Sequence, residues 1–278
     1  MLRKFLFAAT AFAFVYTADA QQLRTPAPSP TQTVKQDFGL SSIELSYSRP
    51  GVKGRKVFGD LVPFDKVWRT GANNATTLTF GDEVMIGDAK IKAGKYGLLT
   101  IPGQKEWTII ISKSTNTTSP ADYKQEDDVV RVNVKPMTMK DKMETFTIQF
   151  AEVKPSTCEL HLMWDNTAVA LPISTDVDAK VMKNISDIMT RDSRPYFQAG
   201  LYYLDNGKDL KQAVEWFDKA IEQNPKAYWV YHQKANALAK LGKKDEAKET
   251  AKKSMEIAKE DKNDDYVRLN EKLLAELK

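Results

Sequence analysis

The sequence predicts a multidomain β + α protein, an antiparallel β-sandwich followed by an array of α-helical hairpins. Three observations carry this reading. Short runs of period-two alternation recur between Gln36 and Ile173; ten of the thirteen glycines fall in the same stretch; and at Ser174 the composition turns to Lys, Glu, Ala and Leu with three- and four-residue apolar spacing.

Ahead of these zones, residues 1–20 read MLRKFLFAATAFAFVYTADA, with Arg3 and Lys4, an apolar run from Phe5 to Tyr16, and Ala18-Asp19-Ala20. That is the pattern of a secretory signal peptide cleaved after Ala20. The run is too short to span a bilayer, which takes about 20 apolar residues, and no other segment is a membrane-span candidate. The expected location is periplasmic or secreted. The only cysteine, Cys158, allows no internal disulfide and lies too far from the leader for a lipid anchor. Residues 21–35, QQLRTPAPSPTQTVK, place Pro26, Pro28 and Pro30 at alternate positions and predict an extended linker.

Residues 36–173 form the predicted β-sandwich domain. Apolar positions alternate in Ile43, Leu45, Tyr47; Thr76, Leu78, Phe80; Trp107, Ile109, Ile111; Val130, Val132, Val134; Phe146, Ile148, Phe150; Leu160, Leu162, Trp164; and Val169, Leu171, Ile173. Gly81-Asp82, Gly87-Asp88 and Gly94-Lys95 supply turns. Many short strands with one apolar face imply two packed sheets.

Residues 174–278 form the predicted helical domain. Thr175 and Asp178 resemble a capping box, and Val177, Val181, Ile185, Ile188 and Met189 predict a helix with one buried face, stacked on the later helices or clamping them to the β domain. Ala213 and Ala247 lie 34 residues apart. With Ala199, Gly200, Tyr203, Phe217, Ala220 and Pro225 in one unit, and Leu238, Leu241 and Gly242 in the next, the region resembles two tetratricopeptide repeats with a capping helix at Asp265–Leu277. One extra residue around Asn206-Gly207-Lys208-Asp209 departs from the pattern. Such repeats present concave surfaces to partners. Tyr203, Trp229 and Tyr231 are the aromatic residues expected to line one here.

The motifs Ser48-Arg49-Pro50, Gly54-Arg55, Phe58-Gly59, Trp68-Arg69, Gly71-Ala72-Asn73 and Ala93-Gly94 with Tyr96 resemble those of the bacterial domain-of-unknown-function family 2911, over roughly residues 36–173. The resemblance implies an exported protein of a gram-negative bacterium, in a family where many members carry helical repeats behind the β domain. It implies no activity.

Nearly thirty residues without strand alternation separate Tyr47 from Thr76, and connections longer than about 12–15 residues are uncommon in compact domains unless functional or disordered. Val57, Phe58, Leu61, Val62, Phe64, Val67 and Trp68 make this one a packed loop. It would fix Arg49, Arg55, Trp68, Arg69, Asn73 and Asn74, a set suited to an anionic or glycan-like ligand. The alternative is that these side chains satisfy the backbone of the loop itself.

Catalytic signatures are missing: no G-x-S-x-G, H-E-x-x-H, Walker or G-x-G-x-x-G motif occurs. His161 reads as a strand residue facing solvent or stacked on the sheet, His232 as a repeat residue and Cys158 as a core thiol. Glu126-Asp127-Asp128 reads as a solvated acidic loop before it reads as a calcium site. Forty-one Lys+Arg against 37 Asp+Glu leave no basic excess for nucleic acid, and no cofactor is expected. The sequence thus predicts an exported, non-catalytic binding or adaptor protein whose repeats meet an envelope protein or peptide. The alternative is a β domain that binds, or less readily hydrolyses, a small anionic or glycan-like ligand through the Arg/Asn/Trp loop cluster.

Overall fold

The computed structural model describes residues 25–190 and 194–278; the predicted signal peptide and the first residues of the predicted linker lie outside them. The chain divides into two compact units, one ending at Asp176 and one beginning at Val177.

The first unit is a sandwich of two antiparallel sheets. One has six strands in the order β1 (Thr31–Phe38), β2 (Ser41–Ser48), β3 (Thr77–Phe80), β6 (Gly94–Ile101), β7 (Trp107–Ser112) and β8 (Asp128–Val134). The other has four, in the order β5 (Ala89–Ile91), β4 (Val84–Ile86), β10 (Thr157–Ser174) and β9 (Met137–Ala151). Alternation sets the register: Leu45 faces Leu78, Leu78 faces Tyr96, and Leu98 faces Ile111 across adjacent strands. Ile43, Leu45, Leu78, Leu98 and Ile109 of one sheet, with Phe146, Leu160, Leu162, Leu171 and Ile173 of the other, are almost fully buried in one core. Each such side chain contributes roughly 1.5–3 kcal/mol. Cys158 belongs to the same core.

Three expectations are corrected in this unit. The predicted linker is not a free tether throughout: residues 31–35 are the first five of the eight residues of β1, an edge strand paired with β2 from Thr31↔Ser48 to Phe38↔Ser41. Its half-exposed alternation of Gln, Thr, Lys and Asp hid it. Gly94-Lys95 opens β6, whose continuous buried run Gly97–Thr100 has no period of two. The two strands predicted at Leu160–Trp164 and Val169–Ile173 are one, β10, with register shifts on either side of Asp165, where φ is 52°.

The second unit contains α1 (Asp178–Ile188), α2 (Tyr196–Asp205), α3 (Leu210–Gln223), α4 (Tyr228–Lys240), α5 (Lys244–Glu260) and α6 (Asp264–Glu276). α2/α3 and α4/α5 are helical hairpins and α6 packs on α5. A Cβ on Gly200 would come within 2.8 Å of the Phe217 ring, so glycine is what lets α2 approach α3. The extra residue after α2 is absorbed in a tight turn: Lys208 N donates to Tyr203 O at 2.9 Å, and Asp209 caps α3 by accepting from Lys211 N and Gln212 N.

Thr175 does not cap α1. Val177 holds that position without a side-chain bond, and the Thr175 hydroxyl donates to Glu83 O at 2.9 Å. Nor does α1 bury a face, since none of its residues is fully buried. It is tied within its unit by Asp178, which accepts from the Tyr202 hydroxyl at 2.8 Å and Lys208 Nζ at 2.7 Å.

Candidate functional site

The connection from β2 to β3 is stitched to both sheets. Trp68 and Thr100 of β6 exchange backbone hydrogen bonds of 2.7 and 3.0 Å, while Val52 N donates to Glu144 O and Phe146 N to Pro50 O, each at 2.8 Å, on β9. Inside the loop the Thr70 hydroxyl donates to Thr100 Oγ1 at 3.0 Å and the Thr76 hydroxyl to Thr70 O at 2.7 Å. A Cβ at Gly71 would sit 3.0 Å from both Ser48 O and Thr76 Oγ1, so only glycine lets the chain pass there. Trp68 stacks on Trp164 of β10, Phe58 meets Trp107 edge-on at 4.9 Å, and Phe146 lies 5.0 Å from Trp68. The loop is therefore a rigid wall.

Against this wall lies a cavity of about 350 Å³, within the range of small-molecule sites. Pro50, Leu61, Val67, Trp68, Pro120 and Trp164 supply apolar surface, and Arg55, Lys66 and Arg69 supply charge. No Asp or Glu among the described residues lines it. Among the described residues, none of these three cations forms an ion pair with a carboxylate. Backbone carbonyls orient the two arginines instead: Arg55 donates to Val52 O at 3.0 Å and Gly51 O at 2.6 Å, and Arg69 Nη1 donates to Asn73 O at 3.0 Å and to Thr118 O. The Trp68 indole N–H reaches Gly71 O at 3.2 Å. That of Trp164, a residue only 2% exposed, is buried and finds no acceptor among the described residues.

A larger depression of about 550 Å³ opens beside β8 and β10, lined by Lys135, Lys154, Glu152, Glu159 and Cys158. Its charges have both signs and sum to zero, so it shows no preference for an anion or a cation by net charge. Burial, helped by the Glu159 charge, pushes the Cys158 thiol up to about 11, far from a nucleophile's range. His161 Nε2 lies 2.7 Å from Glu159 Oε2. Asp128 is occupied by the Tyr123 hydroxyl at 2.6 Å and Arg131 at 3.0 Å. Among the described residues no group of three His, Cys, Asp or Glu side chains is placed to hold a metal ion.

Residues 29–173, more than half of the chain, match the family model described as Protein of unknown function (DUF2911). The chain belongs to this family. Tetratricopeptide repeat models match residues 193–226 and 216–249, which take in α2, α3, α4 and the first turns of α5. No curated protein and no solved structure matches the chain.

Of the residues singled out in the sequence of the DUF2911 domain, the structure brings Arg55, Trp68 and Arg69 to the cavity. Arg49 is elsewhere, bracing β9 through Phe146 O at 3.2 Å and Thr147 Oγ1 at 2.9 Å. Asn73, at φ 55°, donates to Ser29 O at 3.0 Å and does not line the cavity. Asn74 is exposed and outside it. Sequence reasoning missed Lys66, whose position beside Trp68-Arg69 was a signal, and Trp164, which read only as a core strand residue. It also missed Ser29, which lines the cavity from within the predicted linker.

In the repeats, Tyr203 packs edge-on against Trp216 at 4.7 Å and Trp229 against Tyr228 at 5.0 Å. Tyr231 lines a shallow depression with Lys234, Glu246 and Glu249, whereas Trp229 lines another with Lys226, Glu260 and Asp261. The three aromatics are half-buried and do not converge on one groove. His232 is buried, with Nδ1 2.9 Å from Asn270 Oδ1.

Proposed function

We propose that this is an exported, non-catalytic binding protein whose DUF2911 domain holds a small organic anion in the loop cavity and whose repeats meet a protein or peptide of the bacterial envelope. The observation that carries the first part is the cavity's charge: Arg55, Lys66 and Arg69 converge on a mostly apolar hollow with no carboxylate among its described lining residues. Like charges focused in a low-dielectric cleft concentrate counter-ions, and guanidinium and ammonium groups make charge-assisted hydrogen bonds to an acid. Export rests on the Arg3-Lys4 start, the apolar run and the Ala18-Asp19-Ala20 site. No helix among the described residues is long and apolar enough to cross a membrane.

The test is a thermal-shift titration of the chain from Gln21 onward with small organic anions, beside an Arg55→Gln/Lys66→Gln double variant. Both residues are exposed, so the variant should fold normally. Stabilisation of about 2.7 kcal/mol is expected at a hundredfold excess over Kd, and it should vanish in the variant. No stabilisation by any anion, or equal stabilisation of the variant, contradicts the reading.

The repeat matches favour a partner-binding role for the second unit, because stacked helical hairpins expose extended surfaces. An envelope peptide or protein held there should lose affinity on Trp229→Ala or Tyr231→Ala. Unchanged affinity in both variants would place the contact elsewhere.

A further inference from the structure

The hydrogen-bonding chemistry of the cavity wall narrows the ligand class, on the reading that the cavity is a ligand site. Arg and Lys side chains donate and never accept, and an indole donates one N–H. Among the described side chains lining the cavity, the only hydrogen-bond acceptor is the Ser29 hydroxyl. A sugar ring carries several hydroxyl groups, each with a proton to place. Seated here, each hydroxyl that the ring buried against these side chains, away from backbone carbonyls and solvent, would be left without an acceptor, at about 1–3 kcal/mol apiece. A carboxylate on a hydrocarbon or aryl body has the opposite needs. Its oxygens only accept, and its body is covered by Pro50, Leu61, Val67 and Pro120.

The Trp164 indole adds an independent observation. A buried N–H without a partner costs free energy that native structures seldom carry; this one belongs to a residue that lines the cavity, but the nitrogen itself is closed off from the hollow, so a ligand oxygen reaches it only when the ring or its cover shifts. At the ~30 Å³ a water molecule occupies in the liquid, a space of about 350 Å³ accommodates on the order of ten non-hydrogen atoms.

We infer that the ligand is an apolar organic carboxylate rather than a glycan, that Arg55, Lys66 and Arg69 hold its charge, and that a small shift of the Trp164 ring on binding opens its Nε1–H to one of the carboxylate oxygens. The carboxylate stays ionised and no bond is made or broken.

Three probes separate the possibilities when titrated into the chain from Gln21 onward by calorimetry. Phenylbutyrate has the charge and the apolar body, phenylbutanol the body alone, and glucuronate the charge on a sugar. Phenylbutyrate should bind saturably, phenylbutanol at least about tenfold more weakly for want of the charge-assisted bonds, and glucuronate without saturation. Trp164→Phe keeps a packed ring but removes the donor, and should weaken phenylbutyrate about tenfold. The comparison among probes uses the unaltered chain, so it survives even if that variant folds poorly.

Saturable glucuronate binding with inert phenylbutyrate would overturn the ligand class while leaving an anion site in place. Failure of all three probes would overturn the site itself. An unchanged Kd in a folded Trp164→Phe variant would overturn the role of the indole, whose N–H would then be spent on the surrounding ring faces.

Discussion

Trp68 stacks on Trp164 with ring centroids 5.7 Å apart and planes 15° from parallel. One ring comes from the long connection between β2 and β3, the other from β10 of the opposite sheet. Because Trp68 also exchanges backbone hydrogen bonds with Thr100, a single residue fastens the loop to both layers of the sandwich. The wall that carries Arg55, Lys66 and Arg69 is thus held by core packing.

Trp68→Ala should therefore cost about 3 kcal/mol, the low end of what aromatic truncation in a core costs, because Trp68 is only half-buried. Trp68→Phe should cost about half as much. Urea unfolding midpoints measure both, and a Trp68→Ala loss below about 0.5 kcal/mol, the range of ordinary surface changes, would mean the loop is not anchored this way.

Asn73 should behave as a structural residue. Its amide holds Ser29 O and its backbone sits at φ 55°, a region asparagine tolerates better than alanine. Asn73→Ala should lower stability by about 1–2 kcal/mol yet leave the affinity for phenylbutyrate unchanged in protein that remains folded. A selective loss of affinity would instead make it a ligand contact.

The Cys158 thiol provides a pH signature. Its folded pKa is raised from 9.0 to about 11 by burial, with the Glu159 charge adding to the effect. Below pH 9 the thiol is protonated in both states and stability does not depend on it. Between about 9 and 11 the unfolded chain loses the proton while the folded chain keeps it, so stability falls as pH rises, by about 1.4 kcal/mol per unit at most. Comparing urea unfolding of the native chain and Cys158→Ala across this window isolates the contribution; parallel pH profiles would contradict it. Iodoacetamide should accordingly label Cys158 only as the domain unfolds.

In the repeats, Asn270 joins three helices. Its Nδ2 donates to Ser254 Oγ at 2.9 Å and to Tyr266 O at 2.7 Å, leaving Oδ1 to accept from His232 Nδ1, and Ser254 in turn donates to Tyr228 O at 2.7 Å. Two repeats are few for a continuous core, and this buried chain locks α6 onto α4 and α5 as a cap. Asn270→Ala should cost about 3 kcal/mol because it strands the His232 donor, and hydrogen exchange should accelerate first in α6. Uniform exchange across the repeats would show that the cap does not depend on the network.

The sequence carried the architecture where periodicity was clean. Ile43, Leu45 and Tyr47 marked β2 and Trp107, Ile109 and Ile111 marked β7 because each strand has one buried face. β1 was illegible because, Val34 and Phe38 apart, its side chains are polar on both faces of an edge strand, and β6 because Leu98 and Leu99 are both buried. At the cavity, Arg55, Trp68 and Arg69 could be found because an ordered loop of that length needs a reason. Trp164 could not, since a tryptophan in an alternating strand looks like any core residue until its N–H is seen to lack a partner. Arg49 and Asn73 share the composition of a binding cluster, and only geometry separates side chains that hold backbone from side chains that face a hollow.

The chain contains five tryptophans, and the spectrum of their indole N–H groups reports on both units at once. Trp68 and Trp164 border the cavity, while Trp216 and Trp229 lie in α3 and α4. Titrating phenylbutyrate into nitrogen-15-labelled protein should move the Trp164 resonance saturably downfield, with a smaller response at Trp68 and none at Trp216 or Trp229. If Trp164 stays fixed while the ligand saturates, or only the Trp216 and Trp229 signals move, the cavity in the DUF2911 domain is not where this protein binds small anions.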